Sequence, residues 1–356
     1  MAGEIRRVDV LVVGGGPAGA CAAKAAALAG ATVLLLEAKR RGGAMPHCAE
    51  FVPRLLGLEV DIPLRARTQD VAGMQSWLEG RAISTPGPGW VLDRQVFDMA
   101  LLEAAALAGA EVWVGARLLG RQEGRWLLAR GGERLEIRAG AVVAADGAAS
   151  ACARAAGWPP QALLAGLQYT VPLAQPLERT QIYLEPQYSG GYAWLFPKGQ
   201  VANLGLGCQG PVRRLLEGLR LRLLDQGLIL PGVLAFGGGA IPVGGPRADW
   251  VRDGVLLAGD AAGLTHPITG AGIPQAVFSG DEAGRAAAGL AGGDFQAGEA
   301  YAHVLTLRYG RYLARGLAAR QRLMRDWDGE DFGGLMRATW PAWAGHGAGP
   351  LVDHDS

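Results

Sequence analysis

Cys48 and Glu50 stand two residues apart in PHCAEFVP, and His266 opens HPITGAGI. A thiol, a carboxylic acid and an imidazole are groups that can hand a proton to a substrate near neutral pH. Each also has a plainer account. A free cysteine is most often a small buried hydrophobe, Glu50 fits an anchor for its own loop, and His266 fits a hydrogen-bonded turn. Position along the chain separates the accounts. The four cysteines, Cys21, Cys48, Cys152 and Cys208, are scattered with no C-x-x-C pair. No zinc or iron–sulfur site and no disulfide framework is readable, and a reducing cytoplasmic setting is expected.

The apolar run Val8–Val13 predicts a buried strand, Pro17–Ala29 an alanine-rich helix ended by Gly30, and Ala31–Leu36 a second strand. Between the first strand and the helix lies GGGPAG, with Gly14, Gly16 and Gly19 in a G-x-G-x-x-G around Pro17 and Ala18. The first glycine permits a tight turn, the second lets backbone N–H groups approach a pyrophosphate, and the third lets helix and strand pack closely. Glu37, followed by Ala38, closes the second strand, where an acid takes two ribose hydroxyls and repels a 2′-phosphate. FAD or NAD is therefore expected rather than NADP.

Three later motifs favour FAD. LDRQVFDMAL places Arg94, Phe97 and Asp98 at a helix start, and AADGAAS ends a strand in Asp146 and Gly147. GVLLAGDAAGLTHPITGAGI ends another strand in Gly259 and Asp260 and runs through Gly270 and Gly272 to Ile273. A carboxylate at such a strand end can meet a ribityl hydroxyl. A glycine-rich helix start can aim N–H groups at the pyrimidine edge of a flavin, where negative charge collects on reduction.

The organisation that follows is α/β: a Rossmann-like FAD-binding domain over 1–60, 93–155 and 245–290, interleaved with a mixed or antiparallel β-sheet substrate domain over 61–92 and 160–240. Residues 291–356 form a C-terminal helical segment and tail, the last 20 or so loosely structured. Residues 70–92 read as short strands with Pro/Gly turns. Val212–Gln226 reads as an amphipathic helix with Leu215, Leu216, Leu219 and Leu223 on one face. Arg308, Arg311, Arg315 and Arg322 fall opposite Leu305, Tyr309, Leu313 and Leu317. That helix is either a solvated cover or a face for anionic lipid or an acidic partner. A net charge of +1 gives no field for nucleic acid, and no apolar run is long enough to span a membrane.

With these motifs in order, the chain resembles the FAD-dependent superfamily that includes p-hydroxybenzoate hydroxylase, with its GR2-type nucleotide domain. Within it, PHCAEFVP resembles the Cys-Ala-Glu loop of the geranylgeranyl reductase family. GGYAWLFPKGQVANLGLG resembles that family's Tyr-x-Trp-x-Phe-Pro-Lys signature, and HPITGAGI its Asn-Pro-x-Thr-Gly-x-Gly-Ile, with His266 in place of asparagine. The resemblance implies that Cys48 and Ala49 lie against the isoalloxazine and that Tyr192, Trp194 and Phe196 line an apolar tunnel. It also implies FAD contacts from Arg94, Asp260, Gly272 and Ile273, with Leu118 beside the adenine. Hydride transfer from the reduced flavin to a carbon–carbon double bond of an isoprenoid or other apolar substrate is the implied activity, with NAD(P)H or a reduced protein carrier as donor. Two alternatives stand beside it. One is an FAD monooxygenase acting on an aromatic molecule or on a protein residue, as in quinone-cofactor maturation. The other is a flavoprotein that serves as an assembly partner.

Overall fold

The computed structural model describes residues 5–43 and 48–343. Two eight-stranded sheets organise them. In the first, Arg6–Val13 lies between Val33–Glu37 and Glu133–Ala144, parallel to both. Glu111–Val114 and Val255–Leu257 extend the parallel order on either side. Val10, Leu11, Val12, Leu34 and Leu35 are completely buried, as the continuous apolar runs require of strands covered on both faces. The hairpin partners Ala116–Gln122 and Arg125–Arg130 attach to the first half of Glu133–Ala144. That one long strand therefore serves a small meander and then the central parallel layer.

Helix Pro17–Leu28 crosses between the first two strands, and helix Ile273–Ala291 lies beside it. Their contact is set by Gly280 and Gly284. A Cβ on either would fall 2.2 Å from the carbonyl oxygen of Ala18 or Ala22, respectively. Only small residues permit that backbone approach, and the pairing of 280 with 18 and 284 with 22 makes the helices parallel. Both N-termini thus point to the same edge of the sheet.

The second sheet runs in the order Ala235–Pro242, Leu163–Pro172, Val201–Cys208, Tyr192–Lys198, Thr180–Leu184, Arg67–Leu78, Arg81–Leu92 and Phe51–Pro53. Every pairing is antiparallel except Thr180–Leu184 with Arg67–Leu78, so the sheet is mixed, as expected. Strict alternation in Tyr192–Lys198 divides its faces. Ala193 and Leu195 meet helix Val212–Asp225 through Leu216, Leu219 and Leu223, while Trp194 and Phe196 face the C-terminal helices. Leu215 is only partly buried at the edge of that helix face.

Three details differ from the sequence expectation. Residues 67–92 form one long hairpin, not short strands, because Glu79 and Gly80 both take positive φ, and the bulge at Val71/Gly73 accommodates Pro86 and Pro88. Phe51–Pro53, inside the segment 1–60, pairs with the second sheet. The start of the presumed loose tail is ordered instead: Phe332–Thr339 is a helix capped by Asp331, and Trp340 is buried against Tyr192, their ring centroids 5.1 Å apart. Low local propensity from paired glycines concealed a segment held by tertiary aromatic packing. Residues 344–356 lie outside those described.

Candidate active site

The fingerprint residues gather where the parallel strands end. Gly14 follows Arg6–Val13 with φ of +106°, and a Cβ there would sit 2.3 Å from the Ala145 oxygen. A Cβ on Gly19 would fall 1.8 Å from the Gly14 oxygen, so the helix packs directly on the turn. Gly16 has nothing within 4 Å of its Cβ position, which leaves the mouth of the turn open. Gly16 caps helix Pro17–Leu28 with no side-chain hydrogen bond, leaving the first-turn N–H groups without a side-chain cap. Glu37 accepts the Gly15 N–H at 2.8 Å and the Lys39 N–H at 2.7 Å, fixing its carboxylate beside the turn with Ala38 exposed next to it.

Asp146 and Gly147 end the neighbouring strand. The Asp146 carboxylate takes the Ser150 hydroxyl and the Cys152 N–H, and burial raises its pKa. Its hydrogen bonds go to the short helix Ala151–Ala155, leaving Gly147 open at the surface of the turn. A Cβ on Gly259, at the next strand end, would sit 3.0 Å from the Ala18 Cβ, so this strand end touches the start of the fingerprint helix. Asp260 accepts the Thr265 hydroxyl at 2.7 Å, and burial raises its pKa against the opposing pull of that bond and of Arg94. Arg94 forms a two-pronged pair with Asp98 at 2.7 and 3.0 Å, one turn along its helix. Leu118 lies in the core of the first sheet.

A second helix start lies beyond the first. Helix Ile273–Ala291 is capped by Gly272, again with no side-chain hydrogen bond. Since Gly280 sits against Ala18, Ile273 reaches about 9 Å past Pro17 at 1.5 Å per residue. Two uncapped, parallel helix N-termini offset in this way suit an extended dinucleotide: the first meets its pyrophosphate and the second a ring at the far end of the ribityl chain. The residues present therefore fit FAD.

Past Gly272 opens a cavity of about 860 Å³. It brings together Cys48, Ala49 and Glu50 with Gly270, Gly272 and Ile273, and Tyr192, Trp194 and Phe196 complete one wall. Burial pushes the Cys48 thiol up, with Arg94 pulling the other way, so it is protonated at neutral pH. The Cys48 carbonyl accepts Gln168 Nε2 at 3.1 Å, and Gln168 Oε1 accepts the Trp194 indole N–H at 2.9 Å. The Tyr192 hydroxyl donates to the Thr269 carbonyl. The aromatic strand is thus tied both to the cysteine loop and to the turn before Gly272.

Glu50 and His266 are engaged in holding the chain. Glu50, buried with φ of +71°, accepts the Arg94 N–H, the Lys198 ammonium and Asn203 Nδ2. His266 is buried and absent from the cavity wall. Its Nδ1 accepts the N–H groups of Ile268 and Thr269 at 3.3 and 3.2 Å, the task an asparagine Oδ1 performs from the same bonded position. Sequence reasoning missed Gln168, Asn203 and Trp340. A polar Asn203 inside the apolar strand VANLGLG was the legible signal, whereas Gln168 and Trp340 gave none.

An FAD-binding domain family matches residues 7–178. With two helix starts fitted to a dinucleotide beside this cavity, the chain is an FAD-dependent oxidoreductase. It is 36% identical over 318 residues to digeranylgeranylglycerophospholipid reductase of Methanoculleus marisnigri, covering 80% of this chain and 78% of the relative. To digeranylgeranylglycerophospholipid reductase 1 of Methanopyrus kandleri it is 38% identical, covering 78% of this chain and 80% of the relative. The crystal structure of a geranylgeranyl bacteriochlorophyll reductase-like protein from Thermoplasma acidophilum superimposes with a TM-score of 0.84 at 28% identity, covering 95% and 92% of the two chains. The chain belongs to the geranylgeranyl reductase family. A myxobacterial chondrochloren halogenase, at TM-score 0.73 and 19% identity, shares the fold alone.

Proposed function

We propose that this oxidoreductase saturates carbon–carbon double bonds in the isoprenoid chain of a lipid. The observation that carries the reading is the cavity wall: Met74, Ile182, Trp194, Phe196 and Trp340 form an apolar surface leading to Cys48 and the 270–273 turn. Such a wall accepts a polyprenyl chain and keeps water from the reacting carbons. The relatives named for reduction of a digeranylgeranyl lipid support it. Hydroxylation of an aromatic substrate rests on no feature that double-bond reduction leaves unexplained.

FAD, when bound between the Cys48 loop and Gly272, supplies the hydride. Cys48 Sγ holds a proton within the cavity and is the group we assign to protonate the second alkene carbon. Gln168 fixes the Cys48 carbonyl, and Trp194 fixes Gln168, so the aromatic wall sets the height of the thiol. Glu50 and His266 position backbone. The fingerprint turn, Glu37, Arg94, Asp146, Gly147 and Asp260 serve the nucleotide and ribityl end, with Leu118 behind the adenine. The two sheets support a nucleotide domain and a substrate domain interleaved along the chain.

NAD(P)H or a reduced protein carrier would supply electrons. No helix among the described residues is long and apolar enough to cross a membrane. Exposed Arg311 and Arg315, beside Leu307 at 72% exposure, support peripheral contact with anionic lipid on the cytoplasmic side. Arg308 itself is turned inward, paired with Glu59 and stacked on Phe278.

The test is anaerobic. Photoreduced holoprotein mixed with a geranylgeranyl lipid should regain oxidised flavin absorbance without O2 and yield product heavier by two hydrogens per double bond. Reoxidation only on admitting O2 would overturn the reading. Cys48→Ser should keep FAD and slow turnover; an unchanged rate would remove Cys48 from proton delivery.

A further inference from the structure

A buried cation stands behind the 266–272 turn. Arg320, on helix Arg311–Asp326, is only 5% exposed, and its Nη1 donates to the carbonyls of Gly190 at 2.9 Å and Pro267 at 3.2 Å. These are neutral partners. Among the described residues no carboxylate forms an ion pair with Arg320, and burial alone lowers its pKa, with no acid opposing. Holding a guanidinium on carbonyls alone is costly, and methionine of similar length would fill the space without that cost.

The surroundings show where this charge acts. One turn earlier, a Cβ on Gly316 would lie 2.8 Å from His266 Nε2 and 3.0 Å from Pro267 Cδ, so the helix backbone packs on the turn. The other side of the turn, Thr269 to Ile273, lines the cavity and ends in the uncapped start of helix Ile273–Ala291. Arg320 also joins this turn to Gly190, just ahead of Tyr192, whose hydroxyl donates to Thr269. One side chain therefore ties the start of the cavity turn to the segment leading into the Tyr192 strand, and places a full positive charge on the turn that leads to a helix N-terminus already carrying partial positive charge.

We propose that Arg320 is a positioning residue that sets the reduction potential of the flavin by adding positive charge behind the Gly270–Ile273 turn. Two-electron reduction places negative charge on the flavin's pyrimidine edge. A cation held in a low-dielectric interior stabilises that charge more than a solvated one does. The proposal rests on the flavin reading above, with the pyrimidine edge at Gly272.

The experiment measures the equilibrium constant for reduction of the FAD-loaded protein against a reference dye. Arg320→Gln keeps a donor for the carbonyls and removes the charge. It should lower that constant roughly tenfold, about 30 mV on a two-electron couple. Arg320→Lys keeps the charge and should stay within about threefold of the parent, by the same scale. Arg325→Gln, on the exposed face of the same helix, should leave the constant unchanged. A Gln variant that matches the parent overturns the proposal, as does a Lys variant that falls as far as the Gln variant. If Arg320→Gln does not hold FAD, Arg320→Lys decides alone, and a tenfold fall there overturns it. An unaltered protein that binds no FAD would defeat the flavin reading itself, an outcome visible before any variant is compared.

Discussion

The Glu50 carboxylate lies 2.7 Å from the Lys198 ammonium, and the same oxygen takes Asn203 Nδ2 at 2.7 Å. This pair spans the seam between the cysteine loop and the strands Tyr192–Lys198 and Val201–Cys208. Its other carboxylate oxygen accepts the Arg94 N–H at the head of helix Arg94–Leu107. One acid thereby locks three elements around Cys48. Lys198→Met leaves the Glu50 charge buried without its main partner and should cost about 3 kcal/mol in urea unfolding. A loss under roughly 1 kcal/mol, the worth of an exposed pair, would show that the seam is held by other contacts.

His266→Asn should preserve turnover and its pH profile, because Oδ1 replaces Nδ1 as acceptor for Ile268 and Thr269. His266→Leu removes the acceptor and strands two N–H groups. It should destabilise the fold by about 1–3 kcal/mol. A loss of activity in the asparagine variant, with stability intact, would return His266 to proton transfer.

Gly205 lies directly opposite Trp194 in the sheet, and a Cβ there would fall 2.2 Å from the indole Cζ2. Gly205→Ala should push the indole off Gln168, at a stability cost of about 1–3 kcal/mol from overpacking. FAD affinity should hold while lipid turnover falls, measured by flavin fluorescence and by product mass. Equal turnover would release the Trp194–Gln168–Cys48 chain from any part in catalysis.

Alkali should weaken the fold. Burial raises the thiols of Cys21, to about 12, and of Cys48 and Cys152 above their ordinary value near 9. Above that value the unfolded chain releases protons that the folded chain still holds. Stability is therefore complete below about pH 9 and falls as pH rises toward the folded values, by about 1.4 kcal/mol per pH unit for each thiol. Unfolding in urea at pH 8 and pH 10.5 under reducing conditions checks the slope, and Cys21→Ala should make it shallower. A flat profile would contradict the burial of Cys21 and Cys152.

The nucleotide half of the molecule was the more legible one. Strand, glycine turn, helix, strand and acid follow one another within Arg6–Glu37, so their contacts are nearly local and each residue type reports its own backbone task. Glu50 and His266 read either way in the sequence, since a proton donor and a hydrogen-bonded anchor use the same side chains. For Glu50 only the partners distinguish them, and Lys198 and Asn203 stand about 150 positions away. The start of the expected loose tail, Arg337–Trp340, is ordered instead, with Trp340 packed on Tyr192, far away in the chain.

Sequence alone thus determined the flavin, the two-sheet α/β architecture and the family, because fingerprint turns and alternating strands write their geometry into residue type at short range. The tertiary structure decided which distant groups each of these side chains meets. It tied the Cys48 loop to Gln168, the Glu50 carboxylate to Lys198 and Asn203, and Arg320 to the carbonyls of Gly190 and Pro267. Charge and proton affinity depend on what surrounds a group in space, and here those neighbours come from strands and helices that only folding brings together.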